Sequence, residues 1–385
     1  MSRSPINQSP ALDEALASAG AARLLALDGL RGAIMIVMAL DHANALIAHQ
    51  HPPAEIWSRS PPDYTSALAF LTRLVTHLAA PGFFWLLGAG MILFADARRR
   101  LGWSEGGIRR HLGLRGVLLI GLQLLVENPA WQIGQSFRIV PVYIGVLYAL
   151  GGAMIVGALL LRLPALVLIA LGAAAIAAAH LLLPAQPSAP VGPIARLLLI
   201  PGLTEPVVVN YPLIPWLGVA CLGMAFGRWL LADRAGAYGW ALPIGAASLA
   251  LFVVLRLLGG LGNIRPAEGT GWIAFLNVVK YPPSLVFLLL TLGAELLILG
   301  LLARAGDRLA AWGRPLLVFG QSALLFYIAH LYLYGLIGLV VAPAGMPIAR
   351  MYPFWLAGLV VLYFVCRWYS AFKRRQAPES LWRLL

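Results

Sequence analysis

Residues 23–51, RLLALDGLRGAIMIVMALDHANALIAHQH, constrain the chain more than any other stretch. They are apolar enough to cross a bilayer, yet they carry Asp28 and Arg31 near the start, Asp41 and His42 inside, and His49 and His51 at the end. An ionisable group at bilayer depth costs about 2.5–3.5 kcal/mol on insertion scales, so it normally faces a protein-lined or watery interior and serves a function. Read as a helix, Asp28, Arg31, Met35, Met38, His42, Ala45 and His49 recur at spacings of three and four and share one face. At 1.5 Å rise per residue, His42 lies about 16 Å beyond Arg31, a little past the middle of a hydrocarbon core about 30 Å thick. His42 is therefore the first candidate for chemistry.

The rest of the chain has the same character. Of its 385 residues 61% are hydrophobic and 11% charged, and the mean hydropathy is +0.83. An ordinary soluble domain has about 25% charged residues and no long uncharged apolar runs, so the expected fold class is all-α, a polytopic integral membrane protein. Apolar runs bounded by Pro, Gly or charge fall at 24–48, 68–95, 112–127, 139–161, 163–184, 211–232, 238–258, 282–303, 315–340 and 353–372, about ten transmembrane helices. With both N-terminus and C-terminus cytoplasmic, 20 of the 28 basic residues fall on the inner side, as the positive-inside rule requires. The net charge of +13 is thus topology rather than a nucleic-acid surface. The expected organisation is a cytoplasmic tail over 1–22, a transmembrane domain over 23–372 and a basic tail over 373–385. No signal peptide is expected, because residues 1–22 lack a basic segment followed by an apolar core. The expected partners are therefore the lipid bilayer and what the site binds, with no nucleic acid. Gly218, Gly223 and Gly227 permit close helix approach, either inside one chain or across a homo-oligomer face.

On that topology the buried polar groups gather in the outer half: Asp41 and His42, Arg73 and His77, Glu127 and Asn128, Arg138, Asn210 and Tyr211, Arg256, Asn277, Lys280 and Tyr281, and His330. A ring of such groups from separate helices is what a membrane-embedded site open to the outside needs. Asp41 lies about 100° around the helix from His42, so its expected partners are Arg73 or His77 rather than its neighbour. Lys280 is the only lysine outside the C-terminal tail and precedes Pro282 and Pro283. No phosphate-binding loop, nucleophile elbow or dinucleotide fingerprint occurs, and no metal is expected. The two cysteines, Cys221 and Cys366, build neither a disulfide framework nor a thiolate site. Histidine is left as the natural acid/base group near neutral pH. On the inner face, RRRLGWSEGGIRRHLGLRG over 98–116 carries six arginines. Arginine forks match phosphate oxygens, so Arg98, Arg99 and Arg109, with Arg31 at the inner end of the stripe, are the expected anion-binding residues.

LDGLRG followed by MALDH, APGFFWLLGAG, YPLIPWLGV, FLNVVKYPPSLVFLLLTLG and FYIAHLYL occur in that order. As a set they resemble a bacterial membrane family similar to the catalytic part of heparan-α-glucosaminide N-acetyltransferase. That family lies within the transmembrane acyltransferase superfamily, which also contains the O-antigen acetylases. The resemblance runs from about residue 23 to 372. It implies a multi-pass enzyme of the bacterial cytoplasmic membrane that takes an acyl group, expected to be acetyl, from cytoplasmic acetyl-CoA. The group would be delivered to a hydroxyl or amine of an extracytoplasmic sugar or glycan. It also implies an essential histidine in or just after the first core helix, which falls on His42, with His49 or His51 as alternatives. A competing reading from another class is a transporter whose polar ring is a permeation site, although matched broken helices in two halves are not found.

Overall fold

The computed structural model describes residues 10–51, 55–64, 66–134 and 142–376. In chain order the helices are α1 (Pro10–Ala43), α2 (Ala67–Thr76), α3 (Ala79–Arg100), α4 (Glu105–Leu122), α5 (Asn128–Gly134), α6 (Val146–Leu160), α7 (Ala165–Leu181), α8 (Pro193–Leu198), α9 (Leu213–Ala232), α10 (Arg234–Gly239), α11 (Ala241–Leu258), α12 (Trp272–Leu276), α13 (Leu285–Ala305), α14 (Asp307–Trp312), α15 (Arg314–Gln321), α16 (Ala323–Val341) and α17 (Ile348–Arg374). Among the described residues eight helical stretches are long and apolar enough to cross a membrane, and α6 and α7 are shorter apolar helices. The chain is an all-α polytopic membrane protein. Its bundle has a basic end, carrying Arg31, Arg115 and Lys373, and an opposite end where His49 and the small sheet lie.

Several helix ends follow from local chemistry. Ser66, Ser104 and Ser284 each accept a hydrogen bond from the backbone N–H three residues on, at 3.1 Å, and so start α2, α4 and α13. Pro81 has no N–H to offer the preceding turn, and the second apolar run breaks at His77–Leu78 into α2 and α3. Pro129 similarly follows a π-helical turn, Gln123–Glu127, after which α5 carries the third span on to Ile133. The expected end at residue 127 is therefore a change of winding rather than a terminus. The first span also passes into a π-helical turn, Asn44–Ala48, and stops at His49 in the left-handed region (φ 54°).

Two sequence boundaries shift. The ninth run, expected as one helix over 315–340, is α15 and α16 separated at Ser322, whose hydroxyl pairs with Ser370 at 2.7 Å. The fourth run begins as a helix only at Val146, because residues 142–144 form a strand. β1 (Val142–Ile144) pairs in parallel with β3 (Val207–Val209), and β3 pairs antiparallel with β2 (Gly202–Thr204). Three-residue strands give almost no alternation to read, although Val142-Tyr143-Ile144 and Val207-Val208-Val209 both consist of strand-favouring residues. Arg256, expected in the polar ring, instead donates to the carbonyls of Arg265, Ala274, Phe275 and Asn277 and to Asn263, and clasps the 259–281 connection.

The glycines of α9 are used inside the chain. A Cβ on Gly223 would sit 1.9 Å from the Trp85 carbonyl oxygen, and one on Gly88 would sit 1.9 Å from that of Ala220, so α3 and α9 touch backbone to backbone. Gly218 meets α7 at Gly172 in the same manner. Gly223→Ala is expected to destabilise the bundle by about 1–3 kcal/mol as α3 and α9 are forced apart. Thermal unfolding of the detergent-solubilised protein checks this against Gly121→Ala, whose added methyl meets nothing within 4 Å.

Candidate active site

The site is held by one arginine. Arg73 of α2 is wholly buried. Its guanidinium forks between two carboxylates, through Nη1 to Asp41 of α1 and through Nε (2.5 Å) and Nη2 to Glu55 in the following connection. Thr76 donates to Asp41 Oδ1 at 2.8 Å, and His51 Nε2 stands 3.5 Å from Oδ2. His77 Nε2 donates to Glu55 Oε1 at 2.9 Å. The Glu55 carbonyl accepts from the backbone N–H groups of Lys280 (3.3 Å) and Tyr281 (3.2 Å), joining the same network to the segment before α13. Burial alone would raise the Glu55 pKa, but the adjoining Arg73 and His77 hold its carboxyl well below the usual range. Lys280 is buried, with Nζ 5.1 Å from the Tyr281 ring centroid. Burial, reinforced by the charge of Arg73, pushes its amine down to about 8.

One helical step past Asp41, His42 faces a different set. Its Nδ1 lies 2.6 Å from Nε2 of His330 on α16, and the two rings are within 15° of parallel. His330 Nδ1 lies 2.8 Å from the Phe326 carbonyl oxygen. A carbonyl can only accept, so His330 carries its proton on Nδ1 and presents a bare Nε2. His42 Nδ1 then donates to it, and in the neutral pair His42 Nε2 is left with a free lone pair. Trp131 and Tyr327 stand edge-on to the His42 ring, with centroids at 5.3 and 6.4 Å. Trp131 Nε1 donates to the buried Glu127 at 3.3 Å.

Two cavities flank this histidine pair. The one at the sheet end has a volume of about 750 Å³ and is lined by Asp41, His42, His49 and His51 from the first span and its extension. Asn128, Trp131 and Gln132 of α5, Tyr143 of β1, and Asn210, Tyr211 and Tyr281 complete its polar and aromatic walls. The second, about 310 Å³, has Arg31, Arg115, Gln321 and Lys373 at the basic end, an apolar wall including Met35, Phe83, Leu86, Met91 and Met154, and Tyr327. Tyr327 of the second cavity and His42 of the first are ring neighbours, so the cavities approach each other across this pair.

Of the residues anticipated from the sequence, Asp41, His42, His49, His51, Asn128, Asn210, Tyr211 and Tyr281 line the sheet-end cavity. Arg73 and His77 stand behind Asp41 in the ion-pair network, His330 stands behind His42, and Lys280 is packed on Tyr281. Asn277 donates to the Pro62 carbonyl at 3.4 Å and belongs to the loop rather than the cavity wall. Arg138 lies outside the described residues. At the other end Arg31 pairs with Asp28 at 2.8 Å and lines the second cavity. Arg98, Arg99 and Arg109 do not line it. Arg98 stacks on Phe94 and Trp103, and Arg99 is paired with Glu105 at 2.5 Å. Arg115, from the same basic run, lines the cavity with its Nε buried and without a hydrogen-bond partner among the described residues. Glu55, Trp131, Tyr143 and Tyr327 were not singled out from the sequence. Glu55 offered one signal, a lone carboxylate just beyond the first span.

Replacing Glu55 by Gln leaves a buried guanidinium with half of its compensation, and removing one member of such a pair typically costs about 3–5 kcal/mol. Glu55→Gln is expected to lower the melting temperature in detergent at pH 7 accordingly. The carboxyl has a lower pKa folded than unfolded, so its contribution is complete above the unfolded pKa and is lost as pH falls through the folded value. The gap between wild type and Glu55→Gln should therefore narrow on acidification below about pH 4.3.

No curated protein matches the chain significantly. A protein-family model does: heparan-alpha-glucosaminide N-acetyltransferase, catalytic, over residues 23–257. The matched region contains Asp41, His42, Arg73 and the whole third span, and ends before Lys280 and His330. It covers well over half of the chain, and it points to a transmembrane acetyltransferase. The chain belongs to the heparan-alpha-glucosaminide N-acetyltransferase catalytic family.

Proposed function

We propose that the protein transfers an acetyl group from cytoplasmic acetyl-CoA to a hydroxyl or amine of a sugar on the opposite side of the bacterial cytoplasmic membrane, with His42 as general base. The observation that carries this reading is the His330–His42 hydrogen bond at the junction of the two cavities. An acceptor hydroxyl has too high a pKa to attack a thioester unaided, and a neutral imidazole can take its proton as attack proceeds. In this scheme the acceptor occupies the sheet-end cavity and gives its proton to His42 Nε2. The acceptor oxygen bonds to the thioester carbonyl carbon, the carbon–sulfur bond breaks, and the leaving thiolate recovers the proton from His42. His330, anchored on the Phe326 carbonyl, keeps His42 Nδ1 as a donor so that Nε2 does the work. Asp41 contributes a negative charge held in place by Arg73.

The second cavity supports the donor half of the reading. Its long apolar wall suits the extended pantetheine arm, and Arg31, Arg115 and Lys373 stand at the basic end where phosphates would rest. The unpartnered Nε of Arg115 is a donor that an anion would satisfy. In this assignment Arg98, Arg99 and Arg109 form the surrounding basic field, and Arg31 and Arg115 make the contacts.

His42→Ala should lower acetyl transfer by about 10²- to 10⁴-fold while leaving acetyl-CoA affinity and thermal stability near wild type. His330→Ala should reduce kcat with little change in KM for acetyl-CoA. Both are read by acetyl-CoA-dependent thiol release in the presence of a sugar acceptor. A loss below tenfold in His42→Ala would move the base to His49 or His51, and no thiol release by the wild-type protein with any acceptor would favour a transporter.

For the donor site, the double variant Arg31→Gln, Arg115→Gln should weaken acetyl-CoA binding by at least tenfold in a titration of the purified protein, while Arg99→Gln should weaken it far less. Equal effects would return the phosphates to the 98–109 run.

A further inference from the structure

The lining of the sheet-end cavity is of two unlike kinds, apolar and polar. Along the end of the third span, Leu124, Asn128, Trp131 and Gln132 recur at helical spacing and turn one face to the cavity. Leu124 is also 45% exposed on a membrane-spanning stretch, and its neighbour Leu125, which does not line the cavity, is 78% exposed. Exposed leucines at that depth face hydrocarbon. Val142, 42% exposed on the edge strand β1, adds a second exposed apolar side chain to the lining. The same lining includes the exposed His49 and the half-buried His51. A mouth that is apolar toward lipid and polar toward water discriminates between acceptors: a free sugar gains nothing from Leu124 and Val142, whereas a sugar attached to an aliphatic chain can keep its head among Asn128, Gln132 and the histidines while the chain stays in the bilayer.

We infer that the acceptor is amphipathic and enters from the membrane: a sugar carrying a long aliphatic chain, with the chain leaving the cavity over Leu124 and Val142. This rests on the reading of the sheet-end cavity as the acceptor site.

The test uses the full chain in nanodiscs with dodecyl and methyl β-glucosaminide as probes. A photoreactive Leu124→p-benzoylphenylalanine variant is irradiated with each probe, and the adduct is quantified by mass spectrometry against the same substitution at Leu125. Membrane partitioning raises the local concentration of the dodecyl probe equally for both positions, so the ratio isolates the cavity mouth. The dodecyl adduct is expected to be at least tenfold more abundant at 124 than at 125, and the methyl probe to give little adduct at either. Equal dodecyl labelling at the two positions would overturn the inference. In parallel, acetyl transfer from acetyl-CoA should favour the dodecyl over the methyl probe by at least tenfold, and Leu124→Asn should lose most of that preference while Leu125→Asn keeps it. A preference unchanged by Leu124→Asn would also overturn it. Selective labelling at 124 with no acetyl-CoA-dependent thiol release by the wild-type protein with any acceptor would retain the entry route and overturn the acetyl-CoA-dependent transfer reading alone.

Discussion

The sheet end of the bundle depends on a single buried cation. Arg73 is shared by two carboxylates that arrive from different parts of the chain, Asp41 from the first span and Glu55 from the connection after it. Neither charge could be left alone in a low-dielectric interior, since the effective penalty is several kcal/mol per ion even after relaxation. Mutual satisfaction therefore fixes where α2 stands against α1 and pins the connection above them. Through the Glu55 carbonyl it also fixes the backbone of Lys280 and Tyr281, more than two hundred residues away. Such an arrangement is weak evidence for stability in itself, because a well-packed apolar substitute often does as well. What it supplies is registry: Asp41 is held facing Arg73, and the next residue along the helix must then point elsewhere.

That neighbour is His42, and its orientation is set by a chain of hydrogen bonds without a carboxylate in it. A carboxylate behind an imidazole stabilises the imidazolium and raises basicity. A second imidazole backed by a peptide carbonyl fixes the tautomer but adds no charge. In the proposed reaction, positive charge on His42 is a transient to be passed on, which suits a leaving group that needs the proton back. On that proposal two tasks that one residue often performs are separated: Asp41 supplies field, and His330 supplies direction.

How much of this could be read from the sequence depended on whether the signal was local. Asp41, His42, Arg73 and Lys280 stood out because each interrupts an apolar run, and depth alone grouped them. Their pairing was less legible. His330 was visible as one more polar residue at the right depth, but its contact with His42 spans 288 positions and no periodicity reports it. Trp131 and Tyr327 were invisible for the opposite reason, since aromatic residues in a membrane helix are ordinary. Among the basic residues, density misled. Arg98 and Arg99 are spent on aromatic faces and on Glu105, whereas Arg115, on the next helix, reaches the cavity. Glu295, a single carboxylate inside the apolar run of α13, was the plainest omission, and it is buried against Gly82 of α3.

The π-helical turn at Asn44–Ala48 bears on how relatives of this chain can be compared. Such a turn accommodates one residue more than an α-helical turn, and here it is the last turn of the first span. Because the helix ends there with His49 in the left-handed region, where His49 and His51 stand relative to His42 is set by this wider turn and not by α-helical periodicity. A homologue ending the span in an ordinary α-helical turn would place its counterpart of His49 elsewhere while its counterpart of His42 stayed in position. An alignment drawn without a gap through this region would then equate histidines that are not spatially equivalent. If His42 has the role proposed for it, distance in sequence from the LDGLRG segment is accordingly a poorer guide to its counterpart in a homologue than contact with a histidine on α16.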